Sequence, residues 1–442
     1  MVSRLLYLEP GQLRRAWAFF ALYLVLFAAL TLADGLSLAM FVARLGADEL
    51  PRFQALSAAC VMLSVGWYLH AAGRKDQKRL FVVILLGPLL LFLAIWAGLA
   101  CNVLAGRALG LLFLGRELAF ALVLLHFGAF LQEFFTRAEL NRVMPVIYGG
   151  GRLGGIAAGA ALEHFSGRVE PMHLLLLLAA LLTAGIAGVI LIDRHTQRVE
   201  EPDTPPQREP EASGGAMGFL ALIRRSRLLF WISASTIALF VCRTGLSLAC
   251  NRCFQRELGN EAELARFLGR YAQIALAISL PFQLLLVGRL VAWIGLRGTQ
   301  LTYAALIVAA GVCGWGEMTL AGAVFARFVE AELRYGMRNP VAQMTVNLFP
   351  KHVRTQARGW SLGILIPLAT LVAALGFDLL VRSKAFYAVT AMTLLAAVGY
   401  FLTSLGLAAN MGQPPGEPAG RAPRSRRIQP ARGSRFSQPT AS

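Results

Sequence analysis

The chain has 442 residues, 57% hydrophobic and only 15% charged, with a mean hydropathy of +0.61 and a formal net charge of +18. A soluble domain is about 25% charged, so this composition excludes an ordinary soluble enzyme. The apolar residues form long blocks, and about 20 such residues in a helix cross the hydrocarbon core of a bilayer. We therefore expect an all-α integral membrane protein whose basic excess lies in loops and tails, with no nucleic-acid partner.

Twelve apolar segments separated by polar or charged breaks predict twelve transmembrane helices. The first six are predicted at 16–43, 53–71, 80–104, 108–133, 144–163 and 173–193. The second six are predicted at 229–250, 267–288, 299–316, 319–344, 359–381 and 386–409.

A polar stretch rich in Pro and Glu separates the two sets of six and predicts a cytoplasmic linker that ends in a short amphipathic helix. The last residues are rich in Pro, Gly and Arg and predict a disordered basic tail. The expected division is a first six-helix bundle, a linker, a second six-helix bundle and the tail, at 1–193, 194–228, 229–410 and 411–442.

The distribution of charge predicts the orientation in the membrane. Basic residues dominate alternate loops, which are cytoplasmic by the positive-inside rule, and the first apolar block is longer than the core of a cleavable signal peptide. We expect a multi-pass protein of a bacterial inner membrane, a monomer in the lipid bilayer with both termini in the cytoplasm.

An internal repeat supports two related halves. The pentapeptide Gly-Leu-Ser-Leu-Ala occurs at 35–39, late in the first predicted helix, and again at 245–249, late in the seventh. Farther on, Glu-Leu-Pro-Arg-Phe at 49–53 is matched by Glu-Leu-Ala-Arg-Phe at 263–267. A parallel duplication of six-helix units is typical of major-facilitator transporters. The sequence therefore predicts two six-helix bundles of the major-facilitator type.

Ionisable residues inside the predicted spans are candidates for function, because a charge at the centre of the bilayer costs about 2.5–3.5 kcal/mol even on insertion scales. The predicted helix 319–344 carries most of them. At about 100° per residue, Arg327, Glu330, Arg334 and Arg338 fall on one narrow stripe, which must face water, a partner helix or a substrate. Interhelical salt bridges, or a lower end that projects into the cytoplasm, remain alternatives.

The arginines in the spans outnumber the carboxylates, and guanidinium groups suit phosphate and carboxylate ligands. We therefore expect a basic central cavity that binds a small anionic solute. The predicted substrate-binding residues are Arg116, Arg152, Arg243, Arg327, Arg334 and Arg338. The predicted residues for charge balance or proton coupling are Asp34, Glu117 and Glu330.

A glycine-rich segment at 149–155 contains a formal GxGxxG pattern. It opens a predicted transmembrane helix instead of following a strand, so a dinucleotide site is not expected. Gly151, Gly155 and Gly159 instead form a small-xxx-small face that favours close helix packing, with a role in rocking between the bundles as the alternative.

The loop that begins at Gly73 and contains Asp76 and four basic residues resembles the facilitator loop between helices two and three. That resemblance implies a gating latch. A solvated anchoring cluster is the alternative.

Three patches together resemble the bacterial and plastid ATP/ADP translocases. They are Ala33-Asp34-Gly35-Leu36 with Arg44 to Pro51, the segment from Arg142 to Gly155, and the segment from Glu332 to Lys351. The resemblance implies a facilitator fold that exchanges or imports nucleotides. Members of that family tend to carry a basic residue where Ala33 stands in this chain.

We conclude that the sequence predicts a secondary transporter that moves a small anionic solute, such as a nucleotide or an organic phosphate, by alternating access. A non-transporting or lipid-handling facilitator-fold protein, scramblase-like or flippase-like, is the alternative. An enzyme is not expected, because there is no HExxH motif, nucleophile elbow or P-loop. Cys250 and Cys253 form a lone CxxC, so neither a metal nor a cofactor is expected.

Overall fold

The computed structural model describes residues 10–72, 76–101, 105–198, 226–349 and 364–411, and within them it contains helices and no strand. The first half of the chain, residues 10–198, forms α1 to α6: Pro10–Leu45, Leu50–Ala72, Gln77–Ala100, Ala105–Gln132, Arg137–Phe165 and Leu174–His195. The second half, residues 226–411, forms α7 to α13: Arg227–Leu258, Glu261–Pro281, Val287–Cys313, Leu320–Arg327, Asn339–Val346, Ile366–Arg382 and Phe386–Asn410. The predicted interfacial helix in the linker and the predicted basic tail lie outside the described residues.

Among the described residues, seven helices are long and apolar enough to cross a membrane. They are Gln12–Leu45, Gln77–Ala100, Ala108–Gln132, Pro171–His195, Arg227–Leu258, Val287–Cys313 and Phe386–Asn410. Over the described residues the regular structure of the chain is thus all helical, with several candidate spans. The arrangement of twelve spans in two bundles of six stays a prediction.

Side-chain caps set several helix starts earlier than hydropathy predicts. Thr136 Oγ1 accepts a hydrogen bond from the Glu139 amide, and Glu139 Oε2 accepts one from the Thr136 amide at 2.9 Å. This capping box starts α5 at Arg137, whereas the apolar run begins at 144. Asn260 caps α8 in the same way, through the Glu263 amide.

The predicted helix 319–344 is not a regular α-helix. Between α10 and α11 the chain is π-helical over Phe328–Arg338, and a second π-helical segment, Phe282–Leu286, connects α8 to α9. A π-helix bonds residue i to i+5, so each residue turns through a smaller angle than in an α-helix. The stripe predicted with α-helical periodicity therefore does not hold over its full length, because Arg338 leaves the face that Arg327, Glu330 and Arg334 share.

Close helix contacts position the two halves. α5 packs on α1 and on α8, and α2 packs on α12. A Cβ atom on Gly159 of α5 would lie 2.7 Å from the carbonyl oxygen of Gly269 in α8, and one on Gly155 would lie 2.5 Å from Leu276. Gly151 is crowded by the Tyr23 ring of α1. All three glycines of the predicted small-residue face thus lie where another helix approaches closely.

Candidate binding cavity

A cavity of about 880 Å³ lies between the two halves of the chain. Its walls come from α1, α2, α4 and α5 in the first half and from α7 to α11 with both π-helical segments in the second half. This volume is within the range typical of small-molecule sites. Nine charged side chains line it: Asp34, Arg116, Glu117, Arg152, Arg243, Arg327, Glu330, Glu332 and Arg334.

The charges on the wall of the first half neutralise one another. The Arg116 guanidinium of α4 donates hydrogen bonds to Asp34 of α1 and to its neighbour Glu117. It also lies over the Phe113 ring, 4.4 Å from the ring centroid, and the residue as a whole is buried. Arg116 is therefore held by two carboxylates and an aromatic face.

Two ion pairs cross the cavity from one half to the other. Arg152 of α5 donates to Glu332 at 2.8 Å and to Gln283 at 3.2 Å. Arg327 Nη2 lies 3.8 Å from Asp34 Oδ2, so Asp34 interacts with arginines from both halves. A movement of one half against the other must break or re-form these pairs.

Within the second half, Arg243 of α7 donates to Glu330 of the π-helical segment at 2.5 Å. Glu330 is buried, and its side chain is 10% exposed. Four of the five cavity arginines thus have a carboxylate partner.

Arg334 differs from the other four. Among the described residues no carboxylate oxygen lies within 4.0 Å of its guanidinium. Its Nε atom donates to the Glu330 carbonyl at 3.1 Å, and its guanidinium lies 4.4 Å from the centroid of the Tyr335 ring. Five arginines and four carboxylates leave the lining with one excess positive charge, and Arg334 carries it without a counter-ion.

The structure does not place Arg338 in the cavity lining with the rest of the predicted stripe. Its guanidinium donates to Thr236 Oγ1 of α7 at 3.1 Å. Glu332, which the α-helical stripe left out, lines the cavity instead. The π-helical turn accounts for both differences, because it changes which residues share a face.

Sequence reasoning also missed Tyr271. This tyrosine of α8 lines the cavity, and its ring centroid lies 5.7 Å from the Arg327 guanidinium. The Tyr271 hydroxyl and Arg327 Nε are both buried and have no hydrogen-bond partner among the described residues. Buried polar atoms are usually paired, but a tyrosine in an apolar segment gives no charge signal in the sequence.

The halves are tied together at one end of the cavity, which we call the tied end. Arg44 at the end of α1 pairs with Glu261 at the start of α8 at 2.5 Å. Arg252 of α7 pairs with Asp48 at 2.5 Å. At the end of α5, Glu163 pairs with Arg270 at 2.7 Å. Each of the three ion pairs joins one half to the other.

A second charged cluster lies at the ends of α3, α4 and α6. Arg198 donates to Asp76 at 3.2 Å and to Asp193 at 2.6 Å, and lies 3.6 Å from Glu133. Burial raises the pKa of Glu133 above its ordinary value, with Arg198 opposing the shift. Asp76 thus belongs to a bonded cluster, whereas Gly73, the other predicted gating residue, lies outside the described residues.

The two cysteines of the CxxC are packing residues in this structure. The thiols of Cys250 and Cys253 donate to the carbonyls of Ala323 and Met318, at 3.4 and 3.2 Å, where α7 packs beside α10. Among the described residues, no group of three or more His, Cys, Asp or Glu side chains is arranged to hold a metal ion.

No family model matches the chain, and no curated protein matches it in sequence. Solved structures match its fold. A bacterial homologue of the human lysosomal transporter Spinster has a TM-score of 0.57 at 14% identity and covers 92% of this chain and 100% of its own. A variant of the nucleoside transporter NupG has a TM-score of 0.66 at 13% identity, with 90% and 100% covered. A bacterial homologue of the iron transporter ferroportin has a TM-score of 0.58 at 16% identity, with 91% and 99% covered.

These similarities show that the chain has the fold of these transporters. They do not show a relationship to the ATP/ADP translocases. The cargoes named for the matching structures differ in size and charge, so the fold alone does not select a substrate.

Proposed function

We propose that the protein is a secondary transporter that carries a small anion through the central cavity by alternating access. In this proposal twelve helices form two bundles of six in a bacterial inner membrane, with both termini in the cytoplasm and the tied end at the periplasmic face. The single observation that carries the proposal is Arg334, a cavity cation with no carboxylate within 4.0 Å among the described residues.

The physical argument concerns the cost of an unpaired charge. A charge held at bilayer depth away from bulk water is expensive unless it has a counter-ion. Arg116, Arg152, Arg243 and Arg327 have counter-ions in the protein, whereas Arg334 would gain one from an anionic cargo. A guanidinium presents donors in a fork that matches a carboxylate or a phosphate.

The carboxylates have a second role in this proposal. Asp34 interacts with Arg116 of its own half and with Arg327 of the other, and Glu332 reaches Arg152 across the cavity. Protonation of Asp34, or competition by an anion for Arg327, would weaken a contact between the halves. Asp34, Glu117 and Glu330 would thus balance charge and link cargo binding to relative movement of the halves.

Uptake into proteoliposomes tests the proposal. Labelled nucleotides, organic phosphates and carboxylates are offered to the parent protein, to Arg334→Gln and to Arg168→Gln, an exposed arginine outside the cavity lining. We expect at least one anion to be taken up by the parent and by Arg168→Gln, and about tenfold less by Arg334→Gln, since a hydrogen bond to a charged group contributes about 1.5–3 kcal/mol. Uptake of cations only, or equal anion uptake by Arg334→Gln, would contradict the proposal.

No observation on the described residues favours the lipid-handling alternative. That alternative predicts an apolar lateral opening, and the cavity described above carries nine charged side chains. Lipid translocation in the same vesicles, measured with a headgroup-labelled phospholipid, provides the comparison.

A further inference from the structure

A row of aromatic rings runs along the first-half wall of the cavity. Phe120 of α4 lies 6.2 Å from Phe27 of α1, Phe27 lies 5.6 Å from Tyr23, and Tyr23 lies 5.2 Å from Tyr148 of α5, all measured between ring centroids. All four residues line the cavity. We call them the aromatic row.

The aromatic row has surface available to a ligand. Three of its four rings are accessible, since Phe27 and Phe120 are half-buried and Tyr148 is 42% exposed, whereas Tyr23 is buried. Phe130 of the same α4 helix, a ring that fills the core, is closed off completely. The charged groups of α1 and α4 on this wall are already paired with one another, because Arg116 donates hydrogen bonds to Asp34 and to Glu117. This wall therefore offers ring faces and edges and no excess charge.

The second-half wall offers the opposite chemistry. It carries Arg334, the cavity cation without a counter-ion among the described residues, and the guanidinium lies on the partly exposed Tyr335 ring. The cavity of about 880 Å³ is much larger than an inorganic anion requires and is within the range of sites for drug-sized molecules. The one excess positive charge thus lies on the second-half wall of the cavity, and the aromatic row lies on the first-half wall of the same cavity.

We infer that the cargo is a planar organic monoanion, with its acid group on Arg334 and its planar body against the aromatic row. The inference rests on the proposed function and adds to it the shape and the charge of the anion. Aromatic rings bind planar π-systems better than saturated ones of similar size, typically by a fewfold to about tenfold in affinity, so the inference makes a prediction about the ratio between two anions.

Three probes separate charge from planarity. Naphthalene-2-carboxylate is planar and anionic, its decahydro derivative has the same charge without the π-system, and naphthalene-2-carboxamide is planar without the charge. Binding to the purified full-length protein is measured by calorimetry. We expect the planar anion to bind between about two- and tenfold more tightly than the decahydro anion, and at least about tenfold more tightly than the amide.

Two variants locate the effect. Phe120→Leu keeps an apolar side chain and removes a ring of the aromatic row, so it should lower the affinity for the planar anion by more than the affinity for the decahydro anion and thus reduce the ratio between them. Phe130→Leu makes the same substitution on α4 outside the cavity lining and should leave the ratio unchanged. Arg334→Gln should weaken both anions equally and leave the amide unaffected.

Equal binding of the planar and the decahydro anion would overturn the inference and leave the anion transporter standing. The inference would also be overturned if Phe120→Leu and Phe130→Leu changed the ratio of planar to decahydro affinity equally. The planar preference would then not depend on the aromatic row. If naphthalene-2,6-dicarboxylate bound more tightly than naphthalene-2-carboxylate, this result would contradict the inference that the cargo carries one negative charge. The proposed function itself is rejected by a different result, namely that the parent protein takes up none of the anions in the proteoliposome assay.

Discussion

The helices α1 and α7 share the sequence Gly-Leu-Ser-Leu-Ala, at 35–39 and 245–249, but they bring opposite charges to the cavity. In α1 the residue before the shared glycine is Asp34, and in α7 the corresponding position is Thr244, preceded by Arg243. Both shared glycines are crowded by a side chain: a Cβ on Gly35 would lie 2.5 Å from Leu162, and one on Gly245 would lie 2.7 Å from Phe377.

The comparison indicates that the two helices use the repeated sequence in the same way for packing and differ at the residues that face the cavity. The charged partners differ as well. Asp34 is 43% exposed and has arginines on both sides, whereas Glu330, the partner of Arg243, is 10% exposed. The two residues before the shared glycine thus include an accessible carboxylate in α1 and, in α7, the arginine of a more deeply buried ion pair.

The largest expected effect on stability comes from breaking the α7 pair. Arg243→Gln leaves the Glu330 carboxylate buried without its partner, so we expect the free energy of unfolding to fall by about 2 kcal/mol. This is less than the roughly 3–5 kcal/mol of a fully buried pair, because Arg243 is 37% exposed. Thermal unfolding in detergent measures the change.

The double variant Arg243→Gln with Glu330→Gln is the control for that experiment. It removes both charges, so it should recover part of the lost stability. A double variant whose loss of stability equals or exceeds the sum of the losses in Arg243→Gln and Glu330→Gln would show that the pair is not the source of the effect.

Asp34→Asn should have a smaller effect on stability, about 1 kcal/mol, because Arg116 keeps Glu117 as a partner. It should also change binding in the opposite direction to Arg334→Gln. Loss of the carboxylate frees Arg327, so the affinity for an anionic cargo should rise several-fold. Calorimetric titration with the best anion of the uptake panel measures it. A fall in affinity would mean that Asp34 binds the cargo instead of competing with it.

The tied end gives a third test. Asp48→Asn with Glu261→Gln removes two exposed ion pairs between the halves, each worth about 0.2–1 kcal/mol. The two pairs together contribute about 0.4–2 kcal/mol, so we expect the population open at this end to rise by about two- to thirtyfold. The readout is the rate at which an impermeant maleimide applied at the tied end labels Gln54→Cys, a cavity-lining position, in a Cys101→Ser background.

Asp378→Asn is the control for the labelling experiment, because it breaks the Arg382 pair within one helix. Equal labelling rates in the control and in the double variant would contradict a role of the tied end in closing the cavity.

The smallest effect is expected at Glu133. Burial raises its pKa, so the folded state holds the proton more tightly than the unfolded state, and this group reduces stability once the pH is above both values. Glu133→Gln should therefore raise the melting temperature slightly, by about 1 °C at pH 8, with the difference shrinking as the pH falls towards 4. Scanning fluorimetry of parent and variant at each pH measures it. A variant that is less stable than the parent at pH 8 would mean that the Arg198 contact outweighs the cost of burial.

The sequence predicted the cavity charges because an ionisable residue in an apolar segment is too costly to face lipid. All of Asp34, Arg116, Glu117, Arg152, Arg243, Arg327, Glu330 and Arg334 line one cavity. The start of α5 was predicted at 144 from the apolar run, although Thr136 and Glu139 have the spacing of a capping box, which marks the true start at Arg137.

Other features depend on information that one sequence does not hold. No local signal separates π-helical from α-helical hydrogen bonding, so the exchange of Arg338 for Glu332 in the lining was not predictable. The pairing of Arg152 with Glu332, 180 residues apart, requires the packed tertiary structure. Together with the pairs of Arg116, Arg243 and Arg327, it leaves Arg334 as the one arginine of the cavity lining without a counter-ion among the described residues.

The most direct test of that conclusion reverses the charge at one position. Arg334→Glu is reconstituted beside the parent, and uptake of the parent's anionic cargo is measured together with binding of 2-naphthylmethylammonium. The account predicts that anion uptake is lost and that binding of the cation, absent in the parent, appears. Anion uptake at the parental rate by Arg334→Glu would contradict it.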